Sequence, residues 1–409
     1  MKKLLPLATL AAALGLAACS KNENAQAPVA ADGSLLVRIG HAAPLTGPQA
    51  HLGKDNENGV RLAIDELNAR GFEIGGQKVT FELLSEDDQA DPRIATTVAK
   101  KFVDDGVNVV IGHLNSGTTI PASRIYNDAG IVEVSPSATN PKYTQQGYAG
   151  AFRVMANDVQ QGKALGEYAV KDMAMKKIAI IDDRTAYGQG LADEFDKAVK
   201  ANGGVVIVRE FTNDKASDFT AILTKIKGLQ PDLVFFGGMD GQGAPMARQM
   251  KTLGLKAKFL GGDGIHTAEF IKLAGDAADG VTASLPGVPL ETMPHGSEFK
   301  QKFEAKYGVI QLYAPYCYDA MMVVAEAMKR AGSIDPAKYR AELAKTDHDG
   351  VTARVAFDAK GDLKGGAITV YRVEGKEWKV LKTLGGAPVV APVPAEPAAP
   401  TAAATPAAK

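Results

Sequence analysis

The sequence predicts an α/β protein of two doubly wound lobes, and three observations carry that prediction. Short β-branched and apolar runs alternate with stretches whose apolar residues recur at helical spacing. The alternation occurs in two successive series. The strand-like runs end in Gly, Ser, Asn or Asp and lead into helix-like stretches, as parallel βα units do.

In the first series, residues 35–40 read as a strand. Residues 55–70 read as a helix, with Val60, Ala63, Ile64 and Leu67 at helical spacing. A strand follows at 79–85. Asp91-Pro92 then starts a helix, a cap residue followed by Pro at the first helical position. Residues 107–112 form a buried strand, 119–128 a helix with Pro121 in its first turn, and 132–135 a strand. In the second series strands are predicted at 178–181, 205–208, 233–236, 259–260 and 281–283. Helices are predicted between them at 190–201, 219–227 and 244–253. Residues 297–344 read mostly as helix, and strands at 354–357, 368–373 and 378–380 close the fold.

The chain ends frame this core. Lys2 and Lys3 precede an apolar stretch over 4–16, which is too short to span a bilayer comfortably. Leu16-Ala17-Ala18-Cys19 follows, so 1–18 is expected to be a signal peptide. These four residues resemble the lipobox of bacterial lipoproteins. That resemblance implies a lipid on Cys19 and attachment to a membrane. The alternative is an ordinary secretory signal with an incidental Cys19. Residues 19–34 carry little apolar bulk and are expected to be a flexible tether. Residues 386–409 are mostly Ala and Pro and are expected to be a disordered tail.

Composition narrows the function. The core between tether and tail, about 350 residues, is long enough for two domains. Lys and Arg number 46 against 47 Asp and Glu, so nothing recommends a nucleic-acid partner. There are two cysteines. With lipid on Cys19, Cys317 stands alone in an apolar helical stretch, where it reads as a small buried hydrophobe. The six histidines show no metal-ligand spacing, and no nucleophile elbow, phosphate loop or CxxC occurs. No cofactor, metal or enzymatic activity is expected. His113 reads as structural, and the acidic run Glu86-Asp87-Asp88 as a solvated loop.

Ligands of open α/β sheets bind at the carboxyl ends of the strands. Here the segment from Gly112 to Thr119 and the segment Ser135-Pro136-Ser137-Ala138-Thr139-Asn140-Pro141 follow consecutive strands. Their hydroxyls, with free N–H groups at a helix start, suit a carboxylate without a fixed cation. Read singly, each hydroxyl is equally a cap or turn residue. In the second series Tyr187 follows one strand, Met239 another, and Gly261-Gly262-Asp263-Gly264 sets an acid among glycines. An acid facing hydroxyls across a cleft matches the charge layout of a free amino acid.

These segments resemble the periplasmic branched-chain amino acid binding proteins, the solute receptors of ABC importers. The resemblance runs from about residue 36 to 380. It is carried by APLTGP at 43–48, VIGHLNSGTTIPAS at 110–123, SPSATNP at 135–141, YGQG at 187–190 and FDAKGDLKG at 357–365. It implies a type I periplasmic binding protein fold, two Rossmann-like lobes joined by a hinge. Lobe 1 would comprise 35–156 and 287–366, and lobe 2 157–286 and 367–385. Ser116 then corresponds to the hydroxyl that binds the ligand carboxylate. Ser137 falls where the family uses backbone N–H and C=O, Thr139 where it contacts both carboxylate and amine, and Ala138 between them is counted with the ligand-binding residues. Tyr187 corresponds to the tyrosine closing over the ligand. Asp263 stands where the leucine-binding relatives have a glutamate for the ammonium. Leu52 and Met239 occupy positions that are aromatic in those relatives, and Tyr313 falls near another aromatic wall. The relatives' first-lobe disulfide is absent, with Asn115 at one of its positions.

The resemblance implies a monomeric periplasmic receptor. It would be anchored through Cys19, bind leucine, isoleucine or valine, and deliver it to an ABC permease that reads the closed form. At ~0.8 kcal/mol per buried CH₂, an apolar pocket favours leucine over alanine by ~2.4 kcal/mol, about 50-fold. The alternative is a receptor of the same fold for another amino acid, an amide or an aromatic acid.

Overall fold

A computed structural model of the protein describes residues 29–386. The expected signal peptide, Cys19, most of the tether and the tail from residue 387 lie outside the described residues.

The first sheet contains β1 (Leu35–Ala43), β2 (Glu73–Ile74), β3 (Gln77–Asp87), β4 (Val109–Gly112), β5 (Val132–Ser135) and β6 (Ala151–Arg153), in spatial order β2-β3-β1-β4-β5-β6. Its pairings are parallel except for the short β2–β3 pair. Between these strands run α1 (Ala50–Ala69), α2 (Pro92–Asp104), α3 (Ser116–Ala129) and the single turn α4 (Lys142–Gln145). Central strands covered on both faces read as continuous apolar runs, as β4 does, with all four residues buried.

The chain then leaves this sheet through α5 (Asp158–Glu167) and builds a second one. Its parallel strands are β7 (Lys177–Asp182), β8 (Val205–Phe211), β9 (Leu233–Gly237), β10 (Lys258–Gly261) and β11 (Thr282–Pro286). They alternate with α6 (Ala186–Ala201), α7 (Thr220–Leu229), α8 (Asp240–Thr252) and α9 (Ala268–Ala274). Helices α10 (Gly296–Tyr307), α11 (Ala314–Ala331) and α12 (Pro336–Ala344) return to the first lobe, where α11 lies along α1. A hairpin of β12 (Asp347–Asp349) and β13 (Arg354–Ala356) follows. Antiparallel β14 (Ala367–Glu374) and β15 (Glu377–Gly385) then extend the second sheet beyond β11.

Setting aside β2 and the antiparallel edge, both sheets have one order. The first runs β3-β1-β4-β5-β6 and the second β8-β7-β9-β10-β11. Strand order reverses between β1 and β4 and again between β7 and β9, the points where a doubly wound sheet opens a crevice. The structure is therefore the two-lobed doubly wound α/β fold that the sequence predicts.

Four helices begin earlier than their apolar periodicity indicates. They start at Ala50 rather than 55, Ser116 rather than 119, Ala186 rather than 190, and Asp240 rather than 244. Pro121 consequently lies inside α3 and not in its first turn. Periodicity records only the face packed on a sheet, and these first turns are rich in Gly, Ser and polar residues. Residues 141–177, for which no element is predicted, form α4, β6, α5 and a π-helical turn at Tyr168–Asp172. Strand β6 has three residues, one of them the fully buried Arg153, so it carries almost no apolar signal.

The acidic run Glu86-Asp87-Asp88 is not a solvated loop. Glu86 and Asp87 end β3, and Asp88 is fully buried. Asp87 accepts from the Leu45 N–H and the Thr46 hydroxyl. Asp88 binds His113 Nδ1 at 2.8 Å, while His113 Nε2 meets the Tyr126 hydroxyl at 2.9 Å. Hydrogen bonds to a buried histidine and to backbone replace the water these carboxylates give up. His113, bonded at both ring nitrogens, is a fully buried part of the first lobe.

Candidate functional site

Every candidate ligand-binding residue except Tyr313 lies in the turn or first helical turn that follows the carboxyl end of a parallel strand. Leu52 follows β1, Ser116 follows β4, and Ser137, Ala138 and Thr139 follow β5. Tyr187 follows β7, Met239 caps α8 after β9, and Asp263 follows β10. Tyr313 caps the start of α11. It is held there by Asp55 of α1, whose buried carboxylate accepts the N–H groups of Gln311, Leu312, Tyr313 and Ala314.

In the first lobe the hydroxyl-rich turn is tied down from below. Ser137 donates to the Leu114 carbonyl at 3.1 Å and accepts from Asn56. The Asn140 N–H donates to Ser116 Oγ at 3.2 Å. Arg153 donates to the carbonyls of Ala138 and Asn140 at 2.7 and 2.9 Å, and to Asp362 at 2.5 Å. The backbone around Thr139 is thus fixed on both sides. The Thr139 hydroxyl itself is buried without a hydrogen-bond partner. Asn115, ahead of α3, makes no capping bond, so the first N–H groups of that helix keep no side-chain partner.

In the second lobe Asp263 gathers donors. Its Oδ1 accepts from the Tyr187 hydroxyl at 2.8 Å and from Gln161 Nε2 at 2.6 Å. Its Oδ2 accepts from the Tyr313 hydroxyl at 2.6 Å. Burial raises the Asp263 carboxyl above the ordinary carboxylate range, and these three donors draw it back in part. Gly264 makes the cluster possible. A Cβ there would stand 2.8 Å from Met239 Sδ and 2.9 Å from the Tyr187 ring.

The lobes touch across this site. Tyr313 to Asp263 is one bridge, Asn140 Nδ2 to the Ala186 carbonyl at 2.5 Å a second, and His51 Nε2 to Asp240 Oδ2 at 2.9 Å a third. Leu52, Tyr187, Met239 and Tyr313 belong to one connected apolar cluster and are all buried. Two open cavities, of about 230 and about 520 Å³, lie elsewhere, and none of these residues lines either.

The sequence reading missed two residues here, Asp158 and Gln161 in the first turn of α5. Both are fully buried. The Asp158 N–H donates to the Thr139 carbonyl at 2.9 Å, placing α5 directly against the hydroxyl-rich turn. Neither oxygen of the Asp158 carboxyl has a hydrogen-bond partner, and Gln161 Oε1 has none. Burial pushes Asp158 up to about 8, the Asp263 charge adds to the rise, and the nearby Thr139 hydroxyl opposes it without a bond of good geometry. A signal was present. Asn157 and Gln160 form a capping box that marks a helix start beyond β6.

Two doubly wound lobes meeting over buried carboxylates, hydroxyls and apolar side chains define a protein of the two-lobed solute-binding class. The chain belongs to the periplasmic binding protein family, which matches residues 36–377. It is 40% identical over 339 residues to Leu/Ile/Val-binding protein homolog 1 of Brucella abortus, covering 83% of this chain and 90% of that one. It is 37% identical over 346 residues to the leucine-, isoleucine-, valine-, threonine- and alanine-binding protein of Pseudomonas aeruginosa, covering 84% and 90%. Among solved structures it resembles the branched-chain amino acid transporter substrate binding protein LivJ from Streptococcus pneumoniae in complex with isoleucine. There the TM-score is 0.77 and the identity 26%, covering 86% of this chain and 99% of that one.

Proposed function

We propose that this protein binds an aliphatic amino acid, leucine, isoleucine or valine, between its lobes and delivers it to an ABC permease. One observation carries the reading. Thr139 Oγ1, both Asp158 oxygens and Gln161 Oε1 are buried beside Asp263 with no partner of their own. Buried polar atoms are rarely left in that condition, and each of these can accept a hydrogen bond, the Asp158 carboxyl fully so once it is ionised. An ammonium group supplies three donors and a positive charge to such a set. A carboxylate fits the uncapped start of α3 and Ser116, and the apolar cluster with Leu52 and Met239 suits an aliphatic side chain. The names of the relatives support the same ligand class.

In this reading Ser116, Ser137, Ala138 and Thr139 serve from 35–156 with 287–366, and Tyr187, Met239 and Asp263 from 157–286 with 367–385. Tyr313 and Leu52 complete the first side. The protein acts by binding and closure, with no chemical step. It works outside the cytoplasm, held to the membrane by a lipid on Cys19. Calorimetry with the three amino acids tests the ligand, and binding weaker than ~100 µM for all of them overturns it. Mass spectrometry of the mature N-terminus, with a Cys19→Ser control, tests the lipid.

A further inference from the structure

We propose that His51 and Asp240 are positioning residues that clasp the two lobes at the side-chain end of the cleft, so that ligand affinity weakens as His51 gives up its proton. The inference rests on the reading of the cleft as an amino-acid site.

His51 lies in the first turn of α1 and Asp240 in the first turn of α8. His51 Nε2 donates to Asp240 Oδ2 at 2.9 Å across the interlobe boundary. The Asp240 side chain is 1% exposed and the His51 side chain 21%. The Thr267 hydroxyl donates to the same carboxylate oxygen at 2.7 Å and aims it at His51. The sequence neighbours of the pair are Leu52 and Met239, the two apolar residues that the site reading sets against the ligand side chain. A bond between His51 and Asp240 therefore fixes how far apart Leu52 and Met239 stand.

The electrostatics of the two helix ends favour a titrating clasp. The start of α8 stabilises the Asp240 anion, whereas the start of α1 disfavours a cation at His51. The proton on His51 is held by the opposite lobe. The charged groups facing it are Asp240 from α8 and Glu269 from α9. The Thr267 hydroxyl is bonded to Asp240, and the Asp240 charge is felt at Tyr313, whose hydroxyl is bonded to Asp263. Partial burial lowers His51, but the hydrogen bond and charge of Asp240, with a smaller contribution from Glu269, outweigh it and raise His51 above its ordinary 6.5. When the lobes part, that rise is lost. Closure therefore favours the protonated form. The clasp is at full strength below about pH 6.5 and fades as pH climbs through the raised value. A neutral imidazole still donates from Nε2, so the charge sets the strength of the clasp and not its existence.

The test is leucine affinity by calorimetry at pH 5.5, 6.5, 7.5 and 8.0 for the wild type, His51→Gln, Asp240→Asn and the double variant. Gln keeps a donor and does not titrate. Comparing variant with wild type at each pH cancels every other titrating group in the cleft. The expected result is a variant-to-wild-type Kd ratio that is largest at pH 5.5 and shrinks by about threefold at pH 8.0, with no added effect in the double variant. A ratio constant over that range overturns the clasp. If the wild type binds no leucine at any pH, the ligand reading has failed, and the clasp is judged by pulsed EPR with one spin label on each lobe. The short interlobe distance then loses population with rising pH in the wild type alone, and matching profiles in wild type and His51→Gln overturn it.

Discussion

Asp158 and Asp263 are two fully buried carboxyls in one site, and only one of them is satisfied by the protein. Asp263 accepts three hydrogen bonds, from Tyr187, Gln161 and Tyr313, whereas neither oxygen of Asp158 accepts any. The Asp263 charge helps hold a proton on Asp158, up to about pH 8. In the proposed reading, an ammonium group entering the site takes the place of that proton.

Ligand binding should therefore release a proton. Below about pH 8 Asp158 is protonated before an ammonium arrives and ionised afterwards, so affinity contributed by Asp158 grows as pH rises toward 8. Calorimetry at pH 6.5 in buffers of different ionisation enthalpy should show close to one proton leaving per leucine bound. Asp158→Asn should abolish the release and weaken leucine about 10- to 100-fold. An unchanged proton count in the variant refutes this role.

Gly190 should be required for closure. A Cβ at this position would stand 2.2 Å from Asn140 Nδ2, the group that bridges to the Ala186 carbonyl. Gly190→Ala should leave the melting temperature within a few degrees of wild type, because a helix interior favours Ala over Gly by ~1 kcal/mol. Its leucine affinity should drop at least tenfold. Small-angle scattering should show no ligand-induced compaction.

Asp55→Ala should lose stability and affinity together. The substitution strips the partner from four backbone N–H groups ahead of α11, in a fully buried setting. Its cost is about 3 kcal/mol by urea unfolding. Asp55→Asn keeps one acceptor oxygen and should recover part of it. Since Tyr313 is placed by the same carboxylate, residual folded protein should also bind leucine less tightly.

Arg153 and Asp362 should behave as a coupled pair. Arg153→Met leaves Asp362 buried without its cation and removes two bonds to the turn that carries Thr139, a cost of about 3–5 kcal/mol. The double variant Arg153→Met/Asp362→Leu should be less destabilised than the sum of the single ones. Strict additivity in urea unfolding would show that the pair is not a unit.

Much of this protein is legible in its sequence. The order of strands and helices follows from apolar runs and periodicity, because burial on a sheet imposes both. The strand ends at Ser116, Ser137, Thr139, Tyr187, Met239 and Asp263 stand out, because βα turns place Gly and hydroxyl residues where backbone must turn. Tertiary structure alone decided which polar groups end up without water. Asp158 and Gln161 sit in a helix whose preceding strand has almost no apolar signal, so nothing local marks them as buried. Asp88 reads as solvated until His113, 25 residues on, is brought against it. His51 and Asp240 are 189 residues apart and meet only because the carboxyl ends of the strands in one sheet are brought against those of the other. Local propensity fixes elements, but desolvation and pairing of charge belong to the packed whole.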